Sequence, residues 1–517
     1  MANTSTADIA WWSNPRRGRR RDLLGGAALL VLLAVPFLRL IWLDAADAGA
    51  TLPDTGWLPM LRVLCRSMVM AAAAGMIASF GGLILAIAVR VSPRPWLLLA
   101  LAGWLLATPA AVVAAPLGRI VGFEPIVICV AAYGVAGIPI AAVCVASSLA
   151  RVHPQQLLAA ADLGVSPWSL WRRLLLPACG PGISLGWAMS ALLALTDPSV
   201  PLALANARPM LATFILHAIT ADAPAIVAGR AVLALVVMAA VVAMIATRWL
   251  GGLALPVLRG SRELAQFLDP WRIVRSLGAF VGVGVAAVFG ATVMQAARWR
   301  RQSETLWATA TMTLVTAILV VFLSLLLGGG TALLARHRGR LLDPLMFFVL
   351  VLSPVALGAL IALNHRNPMP IGPVVVPALV GGAAPLQGMI GVMLCLMTFG
   401  VPAAYLMVVV GLRRSVQCGE AAELLGAGAV RTASEVFWPL MRPALGVTLV
   451  MLTSVVLTRV TPVVFVQPPE LSLAGPRIVT LVGAGKLSEA SALALAMATL
   501  TAAVTFVVAL LGRRRRT

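Results

Sequence analysis

Charge is what this chain has least of. Only 11% of its 517 residues are Asp, Glu, Lys or Arg, and Lys486 is the single lysine among 39 basic residues. The lack of lysine reflects genome composition rather than chemistry. The lack of charge matters more, because 61% of the residues are hydrophobic and mean hydropathy is +0.99. A soluble domain has no use for so much apolar surface, so the class is a polytopic membrane protein. Histidine is scarce too: the four are dispersed and show no metal-ligand spacing. Six cysteines (65, 129, 144, 179, 395 and 418) form no C-x-x-C and lie mostly in or beside apolar runs. They read as small buried hydrophobes. There is no G-x-S-x-G and no H-E-x-x-H. The nearest approach to a phosphate-binding loop, Gly485-Lys486-Leu487, lacks both the upstream glycine and a following Ser or Thr. These absences exclude the familiar enzyme motifs, and no cofactor or metal is expected on this chain.

What is present comes twice. From Leu158 the chain reads L-A-A-A-D-L-G and reaches Leu176-Pro177; from Glu420 it reads E-A-A-E-L-L-G and reaches Trp438-Pro439. Gly164 to Pro177 and Gly426 to Pro439 span the same 13 positions, so one offset of 262 superimposes them. An offset of half the chain indicates two fused halves rather than a solenoid. The halves are placed at 1–255, with its loop at 151–181, and 256–517, with its loop at 413–443. In each loop small alanines admit close approach by another surface, and glycine permits a sharp turn. The proline is expected in the first turn of the next helix, where a missing N–H costs nothing. The pattern predicts a short helix, a turn, an amphipathic helix and return to the membrane. Arg172, Arg173, Arg431 and Arg442 hold that surface in water.

Apolar segments of about 20 residues fall near 23–43, 63–90, 97–119, 124–149, 182–204 and 226–249. In the second half they fall near 273–296, 307–335, 342–363, 385–411, 443–466 and 489–511. The fold class expected is an all-α polytopic protein of about 12 spans in two pseudo-symmetric halves of about six. Pro109, Pro116 and Pro139 predict kinked or broken helices. Basic residues cluster around the N-terminus, after spans two and eight, in both motif loops, in the 250–272 linker and at the C-terminus. This places both termini and both motif loops in the cytoplasm, and it fits contact with anionic lipid better than nucleic acid. Arg298, Arg300 and Arg301 break the rule. The apolar run from Leu23 to Leu43, which follows the arginines between 16 and 21, is expected to be a retained first span, not a cleaved leader. Segments 205–225, 364–384 and 467–488 form the larger outer loops.

The repeated stretch resembles the E-A-A-x-x-x-G-x9-I-x-L-P mark of bacterial binding-protein-dependent ABC importer permeases. Two copies in one chain are similar to the fused permeases of the ferric-iron and thiamine importers. The second copy keeps Glu420, Ala421, Ala422, Gly426 and Pro439. The first keeps Ala159, Ala160, Gly164 and Pro177 but has Leu158 in the glutamate's place; Asp162, one helical turn on, is a possible substitute. The resemblance implies a permease in the cytoplasmic (inner) membrane whose loops dock on two cytoplasmic ABC ATPase subunits. Those subunits would bind ATP and Mg. An extracytoplasmic solute-binding protein would deliver ferric iron, or alternatively thiamine or another small polar solute. An ion-driven secondary transporter is the reading of a different class. The shortage of intramembrane carboxylates and the matched loops argue against it.

Charges inside spans are costly and informative. Asp197 and Arg459 are related by the repeat offset and stand late in equivalent spans. They are expected either to face each other across the interface between halves near the outer end as an ion pair or gate, or each to snorkel to the outer interface or pair locally. Thr453, Ser454, Thr458 and Thr461 lie on or beside the same span as Arg459 and are candidates for a polar path. Glu124 reads as a helix-end charge, and the tryptophans, Trp104 included, as an interfacial belt.

Overall fold

A computed structural model describes residues 57–92, 95–114, 124–149, 152, 154–204, 209–220, 227–238, 272–298, 304–334, 342–352, 354–365, 368–371, 374–380, 384–424, 435, 438–458, 461, 463–468 and 471–513. The expected first span at 23–43 and nearly all of the linker lie outside this set. Helices in chain order are α1 (Trp57–Val91), α2 (Pro95–Ala107), α3 (Pro125–Leu149), α4 (Pro154–Asp162), α5 (Pro167–Leu170), α6 (Leu176–Thr196), α7 (Ser199–Ala203), α8 (Leu211–Thr220) and α9 (Val227–Met238). They continue as α10 (Arg272–Ala297), α11 (Glu304–Leu334), α12 (Leu342–Val351), α13 (Pro354–His365), α14 (Met389–Leu424), α15 (Trp438–Thr458), α16 (Ala474–Gly483) and α17 (Leu487–Arg513).

Six helical stretches are long and apolar enough to cross a membrane: Met60–Arg90, Pro125–Leu149, Trp168–Thr196, Leu306–Ala332, Met389–Val409 and Leu487–Val504. Shorter apolar helices accompany them. Along α1 the exposed apolar residues Leu61, Met68, Val69, Met76 and Phe80 fall on one stripe, as do Trp307, Val315, Ile318, Phe322 and Leu326 on α11. Stripes of that size facing water are rare in soluble proteins; facing lipid they cost nothing.

Several expected spans are interrupted, each at a proline or a charge. The segment 97–119 is broken at Thr108–Pro109, and 342–363 divides into α12 and α13 ahead of Pro354. Proline lacks the N–H that would continue the ladder. The segment 182–204 ends at Thr196, and a short α7 restarts after Asp197–Pro198. Pro139, in contrast, sits inside an unbroken α3. The described elements are helical, as an all-α chain should be, apart from one short hairpin. Within the expected loop 364–384, β1 (Met369–Ile371) and β2 (Val374–Val376) form an antiparallel hairpin in the register Met369↔Val376. Valine and isoleucine favour extended backbone there. The other two expected outer loops contain α8 and α16, whose inner faces are buried.

Helix contacts recur at repeated positions. On α3, a β-carbon at Gly137 would lie 2.8 Å from Ala78 Cβ on α1 and 2.9 Å from Ser190 Cβ on α6. On α14, one at Gly400 would lie 2.9 Å from Ser324 Cβ on α11, with Leu452 of α15 beyond. Each glycine stands two residues before a proline, Pro139 or Pro402. Glycine at these crossings lets the backbones approach, the usual device for packing helices in lipid. A second pair repeats: Gly82 of α1 against Ala141 of α3, and Gly328 of α11 against Ala404 of α14. A third is a hydrogen bond. Leu211 N–H donates to Ser67 Oγ at 2.8 Å, and Ala474 N–H donates to Thr313 Oγ1 at 2.8 Å. In both cases a hydroxyl on the long helix satisfies an amide at the start of the short one, α8 or α16. Ala78 and Ser324, Gly82 and Gly328, and Ser67 and Thr313 all share a single offset of 246 positions.

Candidate coupling loop and inter-half contact

The first motif copy folds into two helices joined by a tight corner. Helix α4 buries Leu157 against Ala86, Ile87, Val145, Leu149, Leu170 and Leu175. Ala159 and Asp162 face outward, and Ala160 is half-buried against that cluster. Gly164 follows with φ +63, the left-handed conformation that glycine adopts without a Cβ penalty. Val165 N–H donates to Ala160 O at 3.1 Å, which closes a Schellman cap around Gly164. Ser166 then accepts from Ser169 N–H at 3.3 Å as the N-cap of the next helix, with Pro167 in its first position. A β-carbon on Gly164 would meet nothing within 4 Å, so its backbone angle, not crowding, requires glycine.

Beyond the corner the chain departs from expectation. Pro177 stands in the first turn of α6, as expected, but α6 is not separated from the helix before it. One continuous path runs from Pro167 to Thr196, with a π-helical turn at Trp171–Leu175 in which Leu176 N–H reaches back to Trp171 O. The wider turn relieves the clash that a proline at 177 would otherwise make with the preceding turn. The outward face carries Leu163, 80% exposed, and Trp168, 61% exposed, beside Asp162, Arg172, Arg173, Leu176 and Pro177. Large apolar side chains among charged ones form a surface suited to a protein partner.

In the second copy, Glu420, Ala421 and Ala422 lie on α14, which runs on from its apolar span without the break that separates α3 from α4. Gly426 lies outside the described residues, as do most residues up to Trp438. Pro439 stands in the first turn of α15.

At the opposite end of the helices, Asp197 lies where the halves meet. Its carboxylate accepts from Ser199 N–H at 3.0 Å, Ser199 Oγ at 2.7 Å and Thr461 Oγ1 at 3.2 Å. Its backbone carbonyl accepts from the Tyr133 hydroxyl, which in turn accepts from Val200 N–H at 3.3 Å. Tyr133 is fully buried. Arg459, the expected partner of Asp197, lies outside the described residues, but Thr461, two positions on, reaches the carboxylate. Thr453 is buried on α15, and Thr458 is the last residue of that helix. Ser199, Tyr133 and the Ser67/Thr313 pair were not singled out in the sequence; Thr461 was, but as part of a polar path rather than as a partner of Asp197. Two signals were there to use. Ser199 and Thr461 are separated by the motif offset, and Tyr133 is one of only two tyrosines. Glu124 is exposed, and its carbonyl accepts from Val127 N–H at 2.9 Å in the first turn of α3, as a helix-end residue should. Trp104 is not purely interfacial. Its ring meets Phe289 of α10 edge-to-face at 4.9 Å, joining the halves.

No protein-family model, curated protein or solved structure matches the chain. By helix length and hydropathy it is a multi-pass membrane protein.

Proposed function

We propose that the chain is the transmembrane permease subunit of an ATP-driven importer, built from two pseudo-symmetric halves of about six spans each. The observation that carries this reading is the twice-written motif at Gly164 and Gly426, 262 positions apart. The capped corner at Gly164, with Leu163 and Trp168 presented to solvent, supports it. So do the repeated glycine and hydroxyl contacts in the two halves. In this reading both loops face the cytoplasm and seat in grooves on two ABC ATPase subunits, which hold the ATP and Mg. A partner helix in a groove is a common way to couple rigid bodies. Closure of the ATPases would rock the halves and open the Asp197 end toward a solute-binding protein. The cargo is proposed as ferric iron, with thiamine as the rival; both rest on resemblance alone.

The test is photo-crosslinking. A benzophenone amino acid at Trp168, in the membranes of the native host, should capture the ABC ATPase, and one at lipid-facing Phe80 should not. An ATPase captured equally from both positions, or from neither, would overturn the docking assignment.

A further inference from the structure

The two halves are built alike at the Asp197 end but packed differently. In the first half the link between α6 and α7 is pinned to α3 by Tyr133, which bonds both Asp197 O and Val200 N–H. The glycine–proline crossings set the correspondence: Tyr133 is four residues before Gly137, and Leu396 is four before Gly400. A leucine side chain has no group with which to bond that link. Around it the second half leaves a cavity with room for about one water molecule, lined in part by Thr316, Leu396, Val463, Leu473 and Gly475. At the corresponding places the first half has Met70 for Thr316, Tyr133 for Leu396 and Met210 for Leu473, all buried. Two of the cavity's lining residues, Thr316 and Leu396, are thus smaller than their counterparts, while Leu473 and Met210 fill similar volumes. It lies against the 3₁₀ turn Val463–Phe465 and the start of α16.

The same second-half segment rests on the first half. Thr461 donates to Asp197, and α16 packs against α7. The seat beneath it is tied to its own half by Ser199 and Tyr133, while the segment itself borders the cavity. We infer that Thr461, the turn at 463–468 and the segment 471–483 of the second half form a one-sided gate at this end. They lift off the Asp197 seat and repack toward the cavity beside Leu396, while α7 and α8 of the first half stay in place. A core void lowers the cost of such a displacement, because fewer packing contacts are lost in moving. The asymmetry belongs to the chain's own packing and holds whether an ATPase or an ion gradient drives the opening.

Hydrogen–deuterium exchange on the full chain in lipid nanodiscs tests this without any transport assay. Amides of 463–467 and 474–483 should exchange at least about tenfold faster than those of 200–204 and 211–220. Leu396→Tyr, which fills the cavity, should bring the two regions to within about threefold. Tyr133→Leu should speed exchange in 200–204. Thr316→Met fills the same cavity from α11 and provides a second fold-preserving variant. Equal exchange in the two regions of the native chain would overturn the one-sided gate. So would fast exchange of 463–467 and 474–483 that persists in both Leu396→Tyr and Thr316→Met, provided circular dichroism shows both folded.

Discussion

At position 133 one hydroxyl satisfies two backbone groups that lipid cannot. Tyr133→Phe keeps the ring's packing but leaves Val200 N–H, buried beside it, without that acceptor. The cost should be about 1–3 kcal/mol, read as a lower unfolding temperature of the purified chain; an unchanged temperature would show that the bond contributes nothing net. Gly164 gives a complementary case, because its requirement is a backbone angle rather than space. Gly164→Val forces a β-branched residue to φ +63 and should cost about 1–3 kcal/mol. Gly164→Asn, whose side chain tolerates the left-handed region, should cost less. Thermal unfolding of the two variants separates them, and equal losses would mean that crowding, not conformation, selects glycine here.

Between helices, the glycines at 137 and 400 set how closely α3 approaches α1 and α6, and α14 approaches α11. Alanine has the better helix propensity by about 1 kcal/mol. A β-carbon at 2.8–2.9 Å from neighbouring carbons cannot be accommodated without separating the helices. Overpacking of this kind costs about 1–3 kcal/mol, so it should win over propensity. Gly137→Ala and Gly400→Ala are each expected to lower the unfolding temperature, whereas Gly103→Ala, with open space around it, should not. A rise at 137 or 400 would contradict the packing argument. The same elements show how much the sequence revealed. Long apolar periodicity located α1, α3, α11 and α17 within a few residues, because lipid imposes one composition along a whole span. It missed the division of 342–363 and the restart at α7. There a short apolar helix and a continued span have the same hydropathy, and only Pro354 or Asp197–Pro198 marks the break. The hairpin at 369–376 was hidden for a related reason: strand pairing depends on which residues meet across the turn, not on composition.

For the molecule as a whole, the motif offset pointed to the capped corner at Gly164 and to the neighbourhood of Asp197, where Thr461 makes the contact and Arg459 lies outside the described residues. The rarity of tyrosine marks Tyr133, but its role was not legible, since a tyrosine in an apolar span says nothing of which carbonyl it reaches. The repeat is also uneven. Where the first copy has Val165-Ser166-Pro167 after its glycine, the second has Ala427-Gly428-Ala429 and so lacks the N-cap serine and the first-turn proline. The measurement that bears most directly on the account is co-purification of the full chain with the ABC ATPase encoded nearest to it. It would compare wild type with Gly164→Trp and Gly426→Trp, with Gly164→Asn as the turn-preserving control. The account predicts ATPase bound to wild type and Gly164→Asn, and at least about a tenfold loss, or 1.4 kcal/mol, in each tryptophan variant. ATPase retained equally by wild type and both tryptophan variants, or bound by none of the four, would contradict it.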